Sequence, residues 1–358
     1  MSVDKPQHKP GTPFQILSLS GGGIRGLYSI TVLATLEEIL ADQTGDQEYS
    51  IARHFDMICG TSIGGILALG LASGINAREL QRIIDNNRQT IFPQHKRWKI
   101  PGLRRFRLAR KVLYSEAPLQ KILEDTFAGQ LIGELNTRVL IPSVNYSTGR
   151  VQVFKTPHLD NYKLDHRMKV TDVARATSAA PTFFPVFACN NTWYVDGGLA
   201  ANSPALMAYH EAAHLMQIPR EDIYLMRIGT MGQERTADPR KKRDAGYMKM
   251  WGMGEKLIEL TLSANETLHD TLTAHLLSDN QILAIDEFST IDQDNCLGLD
   301  KADDHAAGIL KARGKASAQT KSNDQLFIQM SQHIAPEPTF HHGPKANHIF
   351  QETPHATN

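Results

Sequence analysis

The stretch Phe14–Gly26 reads FQILSLSGGGIRG, and the stretch Phe55–Gly65 reads FDMICGTSIGG. In each stretch a short apolar run, typical of a buried strand, leads into a cluster of glycines. Apolar residues then recur at three-to-four spacing and predict a helix, the first ending near the turn Asp42–Gly45 and the second running through Leu71. Two successive strand–turn–helix units predict an α/β fold with a largely parallel central sheet flanked by helices.

The same signals predict further elements of this fold along the chain. Strands are expected at 138–145, 151–154, 192–195 and 223–228, and helices at 171–177, 203–216 and 249–275. No internal repeat and no Pro/Ser-rich linker divides the sequence, which favours a single domain over residues 12–330. Residues 1–11 are interpreted as a disordered N-terminal tail, and the His- and Pro-rich residues 331–358 as a C-terminal tail or arm.

The uncharged residues 57–75 are long enough to span a bilayer. They contain five glycines, however, with strand-type residues first and helix formers later. A buried strand, a glycine turn and a buried helix explain this pattern better than a transmembrane helix. The polar N-terminus also lacks the apolar region of a signal peptide, so a cytoplasmic protein is predicted.

Composition excludes several classes of protein. The 358 residues carry 38 basic and 38 acidic side chains, a net charge of zero, which argues against a protein held on nucleic acid or membrane by overall charge. Cys59, Cys189 and Cys296 lie far apart and form no C-x-x-C pair. The sequence therefore predicts neither a disulfide framework nor a metal site, and no cofactor.

The segment from Gly60 to Gly64 is a G-x-S-x-G element with Ser62 at its centre. It follows a predicted strand and opens a predicted helix, the context in which a sharp turn exposes a nucleophilic serine at the carboxyl edge of a sheet. The five-residue pattern alone is common by chance, and a serine that merely occupies a glycine-rich turn is the alternative interpretation.

The glycine cluster Gly21–Gly26 offers backbone N–H groups at a helix N-terminus, which suit a developing oxyanion as well as a phosphate. It also satisfies the dinucleotide-binding pattern G-x-G-x-x-G. That alternative requires an acidic residue at the end of the second strand to bind a ribose, and here the second strand leads instead to Ser62.

Asp196 ends an aromatic, β-branched run and precedes Gly197 and Gly198. A carboxylate at the tip of a strand can point into a cleft, although for this motif taken alone an Asp-Gly turn or a helix cap is the favoured explanation.

Together, these elements resemble the patatin-like phospholipase family. The resemblance covers about residues 14–230 and includes the blocks 176–185 (ATSAAPTFFP) and 197–204 (GGLAANSP). It implies a three-layer α/β/α fold and a lipid acyl hydrolase that releases fatty acid from phospholipids. Ser62 would be the nucleophile and Asp196 the base. The remaining implied site residues are glycines and one arginine: Gly21, Gly22, Gly23, Arg25 and Gly26 for the oxyanion loop, Gly60 and Gly64 beside the nucleophile, and Gly197 and Gly198 beside the base.

A histidine could complete a triad with Ser62 and Asp196. His210 and His214 follow Asp196 in the order found in α/β-hydrolases. Their i, i+4 spacing on a predicted helix is more typical of a polar face, and no ligand cluster accompanies them to suggest a metal.

A cluster of basic residues with interleaved aromatic and aliphatic residues occupies 96–111 and contains no acid. A solvated surface, docking on anionic lipid, and a pocket for a phosphate-bearing effector are the three interpretations of such a run. The candidate contacts to effector or lipid are Lys96, Arg97, Lys99, Arg104, Arg105 and Arg107.

Within the family, the sequence looks most like bacterial effectors of antiphage signalling that are activated by cyclic dinucleotides and then degrade inner-membrane phospholipids. This resemblance implies a cytoplasmic enzyme that visits the membrane surface when active. It is compatible with either a monomer or a homo-oligomer. The alternatives are a constitutive lipase or esterase, a lipid or nucleotide sensor without turnover, and a storage protein.

Overall fold

The computed structural model of the protein describes residues 8–94, 111–232, 250–251, 254–289 and 296–346. These residues build one eight-stranded sheet in the order β5-β6-β3-β2-β1-β7-β8, with β4 paired to β3. The strands are β1 (Phe14–Leu19), β2 (Met57–Gly60), β3 (Arg138–Asn145), β4 (Arg150–Lys155), β5 (Phe187–Cys189), β6 (Thr192–Asp196), β7 (Ile223–Ile228) and β8 (Ile282–Ile285). Pairing is parallel from β3 through β2, β1 and β7 to β8, and antiparallel where β3 meets β4 and β6.

Helices cover both faces of this sheet. They are α1 (Gly26–Thr44), α2 (Ile63–Ala72), α3 (Ala77–Ile91), α4 (Ala117–Phe127), α5 (Val170–Ser178), α6 (Gly198–Ala201), α7 (Ala205–His210), α8 (Glu255–Leu276), α9 (Asp304–Lys321) and α10 (Gln325–Gln332). A π-helical turn, Glu211–Leu215, continues α7. Single 3-10 turns occur at Gly23–Arg25, Ile51–His54, Ile132–Glu134, Asp165–Arg167, Arg220–Asp222 and Asp279–Gln281.

Alternation along the central strands divides the core into two layers. Leu17 and Leu19 of β1 join a large cluster with buried residues of α1, α2, α3 and α5, while Phe14 and Ile16 face a smaller cluster with α7. Side chains of successive strand residues point to opposite faces, so a strand covered on both sides favours apolar residues at successive positions. β1 is buried at every position, and four of its six residues are apolar, the exceptions being Gln15 and Ser18.

The predicted α/β fold with a largely parallel sheet is confirmed, and several element bounds agree closely. The strands expected at 138–145 and 223–228 have those bounds, and residues 57–75 form a strand, a turn and a helix as expected. No helix in the described ranges is long and apolar enough to cross a membrane. The helix expected at 203–216 begins at Ala205 and changes to π-helical geometry at Glu211.

The structure adds elements that were not expected from the sequence and packs segments that were assigned to tails. α3, α4, α9, α10, β5 and β8 are additions. Near the N-terminus, Gly11 donates its N–H to Asp222, and His8 lies beside the same carboxylate. Near the C-terminus, α10 runs to Gln332 across the expected boundary, and Phe340 is fully buried. The described parts of both segments therefore pack against the body.

A buried ionic cluster attaches the π-helical turn to the sheet. Glu211, which is 2% exposed, lies 2.6 Å from Lys155 Nζ of β4 and 3.1 Å from His158 Nε2. Burial alone would raise the pKa of Glu211, but the hydrogen bond from His158 and the charge of Lys155 outweigh burial and lower it to about 2. The ionised carboxylate is therefore stabilised by folding, and its protonation opposes folding.

We expect Glu211→Gln to lower the free energy of unfolding at pH 7 by roughly 3 kcal/mol, because it leaves a buried Lys155 ammonium without its counter-charge. In the wild type, the contribution of Glu211 is fully present above its unfolded pKa and is lost as the pH falls toward 2. Urea unfolding followed by circular dichroism from pH 7 to pH 3 measures both effects. The matched control is Glu79→Gln, which breaks an exposed pair with Arg82 and should cost under about 0.5 kcal/mol. Equal effects of the two substitutions would contradict this account.

Candidate active site

Ser62 lies on a tight turn between the end of β2 and the start of α2, in a main-chain conformation that side chains rarely adopt (φ 56°, ψ −124°). The turn closes because its neighbours have no Cβ atoms. A Cβ at Gly60 would lie 2.0 Å from the Gly64 carbonyl oxygen, and one at Gly64 would lie 2.3 Å from that of Leu19. The glycines predicted beside the nucleophile are therefore required by close packing, and the strained turn presents the Ser62 hydroxyl at the carboxyl edge of the sheet.

Asp196, at the end of β6, lies directly beside Ser62. The Ser62 hydroxyl donates to Asp196 Oδ2 at 2.6 Å, and the Gly198 N–H donates to the other carboxylate oxygen at 2.7 Å. Gly197 lets β6 approach β3 closely, since a Cβ there would lie 2.1 Å from the Pro142 carbonyl oxygen. The structure thus brings together the serine and the carboxylate that the sequence singled out, from positions 134 residues apart.

The carboxylate of Asp196 is buried, with 5% of the residue exposed. Burial raises the pKa of Asp196 to about 6, although the hydrogen bonds from Ser62 and Gly198 act in the opposite direction. A carboxylate whose pKa lies closer to neutrality is a stronger base than an exposed aspartate and still ionises at pH 7.

The glycine loop between β1 and α1 borders Ser62, but not all of its N–H groups can serve an oxyanion. Gly21 donates to the Asn202 carbonyl oxygen, Arg25 to that of Gly22, and Gly26 to the carbonyls of Gly23 and Ile24. These three N–H groups build the loop. The N–H groups of Gly21, Arg25 and Gly26 are therefore already engaged in hydrogen bonds to main-chain carbonyls.

The N–H groups of Gly22, Gly23 and Ile63 donate to no acceptor within the described ranges. Gly22 and Gly23 line the same cavity as Ser62 and Asp196, and Ile63 is the first residue of α2. Gly23 adopts a positive φ of 58°, and a Cβ there would lie 2.1 Å from the Leu299 carbonyl oxygen, so only glycine fits. Unpaired donors beside a nucleophile can stabilise negative charge that develops on a substrate carbonyl oxygen.

Residues that the sequence analysis did not single out hold this arrangement. Thr177 Oγ1 accepts the Ser62 N–H at 3.0 Å and donates to the Pro142 carbonyl. The Asn202 amide and the Thr230 hydroxyl both donate to the Gly21 carbonyl oxygen. Thr177 and Asn202 fall inside the blocks 176–185 and 197–204 that carry the family resemblance, which was the available signal.

An apolar cavity with about 1130 Å³ of empty space, part of it open to solvent, extends from Ser62 and Asp196. Its walls come from α2, α3, α4, the 178–184 segment and α8. The deeper apolar lining includes Leu67, Leu80, Ile84, Ile91, Phe92, Leu123, Phe127, Phe183 and Phe184. Such a lining can hold hydrocarbon chains beside the hydroxyl of Ser62.

The other predicted residues lie away from this cavity or outside the described ranges. Arg25 lines a smaller adjoining cavity with Glu259 and Glu266. His210 and His214 pack against each other, and no histidine of the described residues lines the apolar cavity. Within those same residues, no group of side chains is arranged to hold a metal ion. Lys96, Arg97, Lys99, Arg104, Arg105 and Arg107 lie outside the described ranges.

Comparison with known proteins assigns the chain to a family. The model of the patatin-like phospholipase family matches residues 17–209. A protein of Pseudomonas aeruginosa named cGAMP-activated phospholipase is 42% identical over 93% of this chain and 96% of its own length. Proteins of the same name from Escherichia coli and Vibrio cholerae are each 39% identical, over 91% and 86% of this chain and 93% and 87% of their own lengths. The chain therefore belongs to the patatin-like phospholipase family.

We expect the activity on a water-soluble ester to rise with pH through about 6 and to level off above it, since Asp196 must be ionised to accept a proton. The measurement is kcat/KM from pH 4.5 to 8.5 with a short-chain nitrophenyl ester. The double variant His210→Ala/His214→Ala should show the same rise of kcat/KM with pH. If the rise disappears in that variant, the titrating group is a histidine instead of Asp196.

We expect Thr177→Val to lower kcat by roughly 10-fold to 100-fold with little change in KM, because the Ser62 main chain loses its acceptor while the cavity keeps its shape. Thr171→Val, a buried position on the same helix, is the control and should retain wild-type kcat. Steady-state kinetics on the soluble ester and thermal melts measure both variants. A parallel loss in both variants would show that Thr177 matters only for packing.

Proposed function

We propose that this protein is a phospholipase of the A1/A2 type that hydrolyses the carboxylic esters of membrane phospholipids and is activated by a cyclic dinucleotide. The observation that carries the proposed chemistry is the 2.6 Å hydrogen bond from Ser62 to the buried Asp196, beside N–H donors and an apolar cavity. Family membership supports the ester chemistry, and the relatives named cGAMP-activated phospholipase support the proposed activation.

In the proposed mechanism, Ser62 Oγ attacks the ester carbonyl carbon while its proton passes to Asp196. The tetrahedral oxyanion accepts hydrogen bonds from the Gly22 and Gly23 N–H groups, with Ile63 as a further donor. Collapse of the intermediate breaks the ester C–O bond, and the proton on Asp196 passes to the departing lysophospholipid oxygen. Water, deprotonated by Asp196, then attacks the acyl-Ser62 ester. The bond between the acyl carbon and Ser62 Oγ breaks, the proton on Asp196 returns to Ser62 Oγ, and the fatty acid is released.

The apolar cavity supports a lipid substrate over a small polar ester. Each buried methylene contributes about 0.8 kcal/mol of transfer free energy, so a long acyl chain gains far more from this cavity than a short one. Removal of water from the site also strengthens the electrostatic interactions of Asp196 and of the oxyanion donors.

The proposed setting is a cytoplasmic enzyme that visits the inner membrane surface when active and serves antiphage signalling. Two alternatives remain distinct in their consequences. A constitutive lipase would show full activity without nucleotide, and a sensor without turnover would bind lipid or nucleotide and release no fatty acid.

We expect Ser62→Ala and Asp196→Asn each to lower fatty-acid release by at least about 10³-fold, since each substitution removes one partner of the reacting pair. Purified protein, with and without cyclic GMP–AMP, is assayed by mass spectrometry on vesicles of phosphatidylethanolamine and phosphatidylglycerol. Ser73→Ala, at the far end of the Ser62 helix, and Asp160→Asn, a surface carboxylate, are the matched controls and should keep wild-type rates. Release by the Ser62→Ala variant at the wild-type rate would refute the proposed nucleophile.

A further inference from the structure

A second cavity lies at the edge of the sheet opposite Ser62, and the C-terminal arm forms one of its walls. It holds about 1020 Å³ of empty space, part of it open to solvent, a size suited to a ligand of several hundred daltons. The body contributes Arg53, Asp56 and Asn136, and the arm contributes residues 334–338 with Phe340 and Lys345. None of these residues belongs to the site around Ser62.

This cavity touches both ends of the segment that carries Ser62. Asp56 precedes the first residue of β2, which leads to Ser62, and Leu71 lies in the last turn of α2, which starts directly after Ser62. Gly74, just beyond α2, also lines the cavity. A ligand bound here therefore contacts the start of the strand and the end of the helix whose junction is the Ser62 turn.

The charges in the cavity suit an anionic ligand that also offers hydrogen-bond donors. Two cations, Arg53 and Lys345, line it. The carboxylate of Asp56 already receives the Gln15 N–H at 2.8 Å and lies 2.8 Å from His333 Nε2, and the buried Arg138 donates to the Asp56 main-chain carbonyl. Glu337 is the other acid of the lining, and Arg53 also forms an exposed pair with Asp46 at 3.3 Å, which a ligand phosphate would have to share or replace.

The rest of the lining combines uncharged polar groups with apolar side chains such as Phe55, Leu135 and Phe340. Its polar members are Asn136, Thr137 and Ser50, and the buried Ser50 hydroxyl has no hydrogen-bond partner among the described residues. A buried hydroxyl without a partner is costly unless a ligand or water supplies one. A cyclic dinucleotide requires cations for its phosphates, a carboxylate for the donor edge of a guanine, and neutral polar groups for its sugars.

We propose that this cavity is the binding site for the activating cyclic dinucleotide, with Arg53 and Lys345 on the phosphates and Glu337 on the guanine edge. This inference rests on the proposed activation by a cyclic dinucleotide and specifies where that nucleotide binds. Polar contacts join the arm to the body beside this cavity: Ala335 donates to the Arg53 carbonyl at 2.8 Å, Lys345 donates to Asn136, and His333 contacts Asp56 and His54. The nucleotide bridges arm and body, and the free energy of that contact biases the conformation of the Ser62 turn through β2 and α2.

The test measures binding and activation separately. Calorimetry with cyclic GMP–AMP and with cyclic di-AMP gives the dissociation constants, and the soluble ester gives rates with and without nucleotide. Lys345→Ala and Arg53→Ala should each weaken binding of both nucleotides by about 10-fold or more, since each removes a charge-assisted contact. Glu337→Gln should weaken only the guanine-containing nucleotide. Basal rates should stay at the wild-type value, and the control Arg82→Ala, an exposed cation elsewhere, should bind as the wild type does.

Amide hydrogen exchange of the wild-type protein locates the bound nucleotide without relying on variants that could fail to fold. In the wild type, cyclic GMP–AMP should protect residues 50–58 and 333–346. Wild-type affinity in all three cavity variants, or protection confined to other segments, would overturn the inference while leaving activation intact. A wild-type protein that hydrolyses ester but neither binds the nucleotide nor responds to it would overturn this inference and the proposed activation together, and would leave the proposed ester chemistry standing.

Discussion

The Ser62 turn is the constraint on which the rest of the site depends. Ser62 has a φ of 56°, and the turn around it closes because the main chains at Gly60 and Gly64 lie too close together to leave room for a Cβ. The end of β2 and the start of α2 are therefore in direct main-chain contact. The strain is held by a fully buried strand on one side and a helix with nine of its ten residues buried on the other. A closely packed core of this kind holds the hydroxyl in place, and this matters because a misplacement of about 1 Å can cost about 10²-fold in rate.

Two opposed effects set the chemistry of the carboxylate beside that turn. Burial makes ionisation of Asp196 unfavourable, whereas hydrogen bonds from Ser62 and Gly198 stabilise the charge. Burial prevails, so a carboxylate that would be a weak base in water becomes a stronger one in the cavity. The same removal of water favours the N–H donors of the glycine loop, because their interaction with a developing oxyanion grows as the surroundings become less polar. Because the Ser62 hydroxyl donates directly to Asp196, no histidine between them is needed for the proposed proton transfer.

The sequence predicted those features whose residue types are dictated by sterics. Gly60, Gly64 and Gly197 were recognisable because no other residue fits where two backbones approach each other, and buried parallel strands were recognisable from short, mostly apolar runs. Thr177 and Asn202 were missed as positioning residues because they are ordinary polar residues whose partners are distant in sequence. Thr177 accepts from Ser62, 115 residues away, and Asn202 donates to Gly21, 181 residues away. The helices α3 and α9 were missed although Asn76 and Asp303 cap their N-termini, a local signal that the apolar pattern alone does not include. The packing of the C-terminal arm depends on contacts from Arg53 and Asp56, which no local pattern reveals.

The central claim is that Ser62 is made nucleophilic by Asp196 alone. The most direct measurement is the rate at which a fluorophosphonate modifies the wild type, the Asp196→Asn variant and the His210→Ala/His214→Ala variant, with the modified residue located by peptide mass spectrometry. The account predicts a single adduct on Ser62, formed at the same rate without the two histidines and at least about 10²-fold more slowly without the carboxylate. An adduct on another residue, or a rate that survives loss of Asp196 and collapses with the histidines, would contradict it.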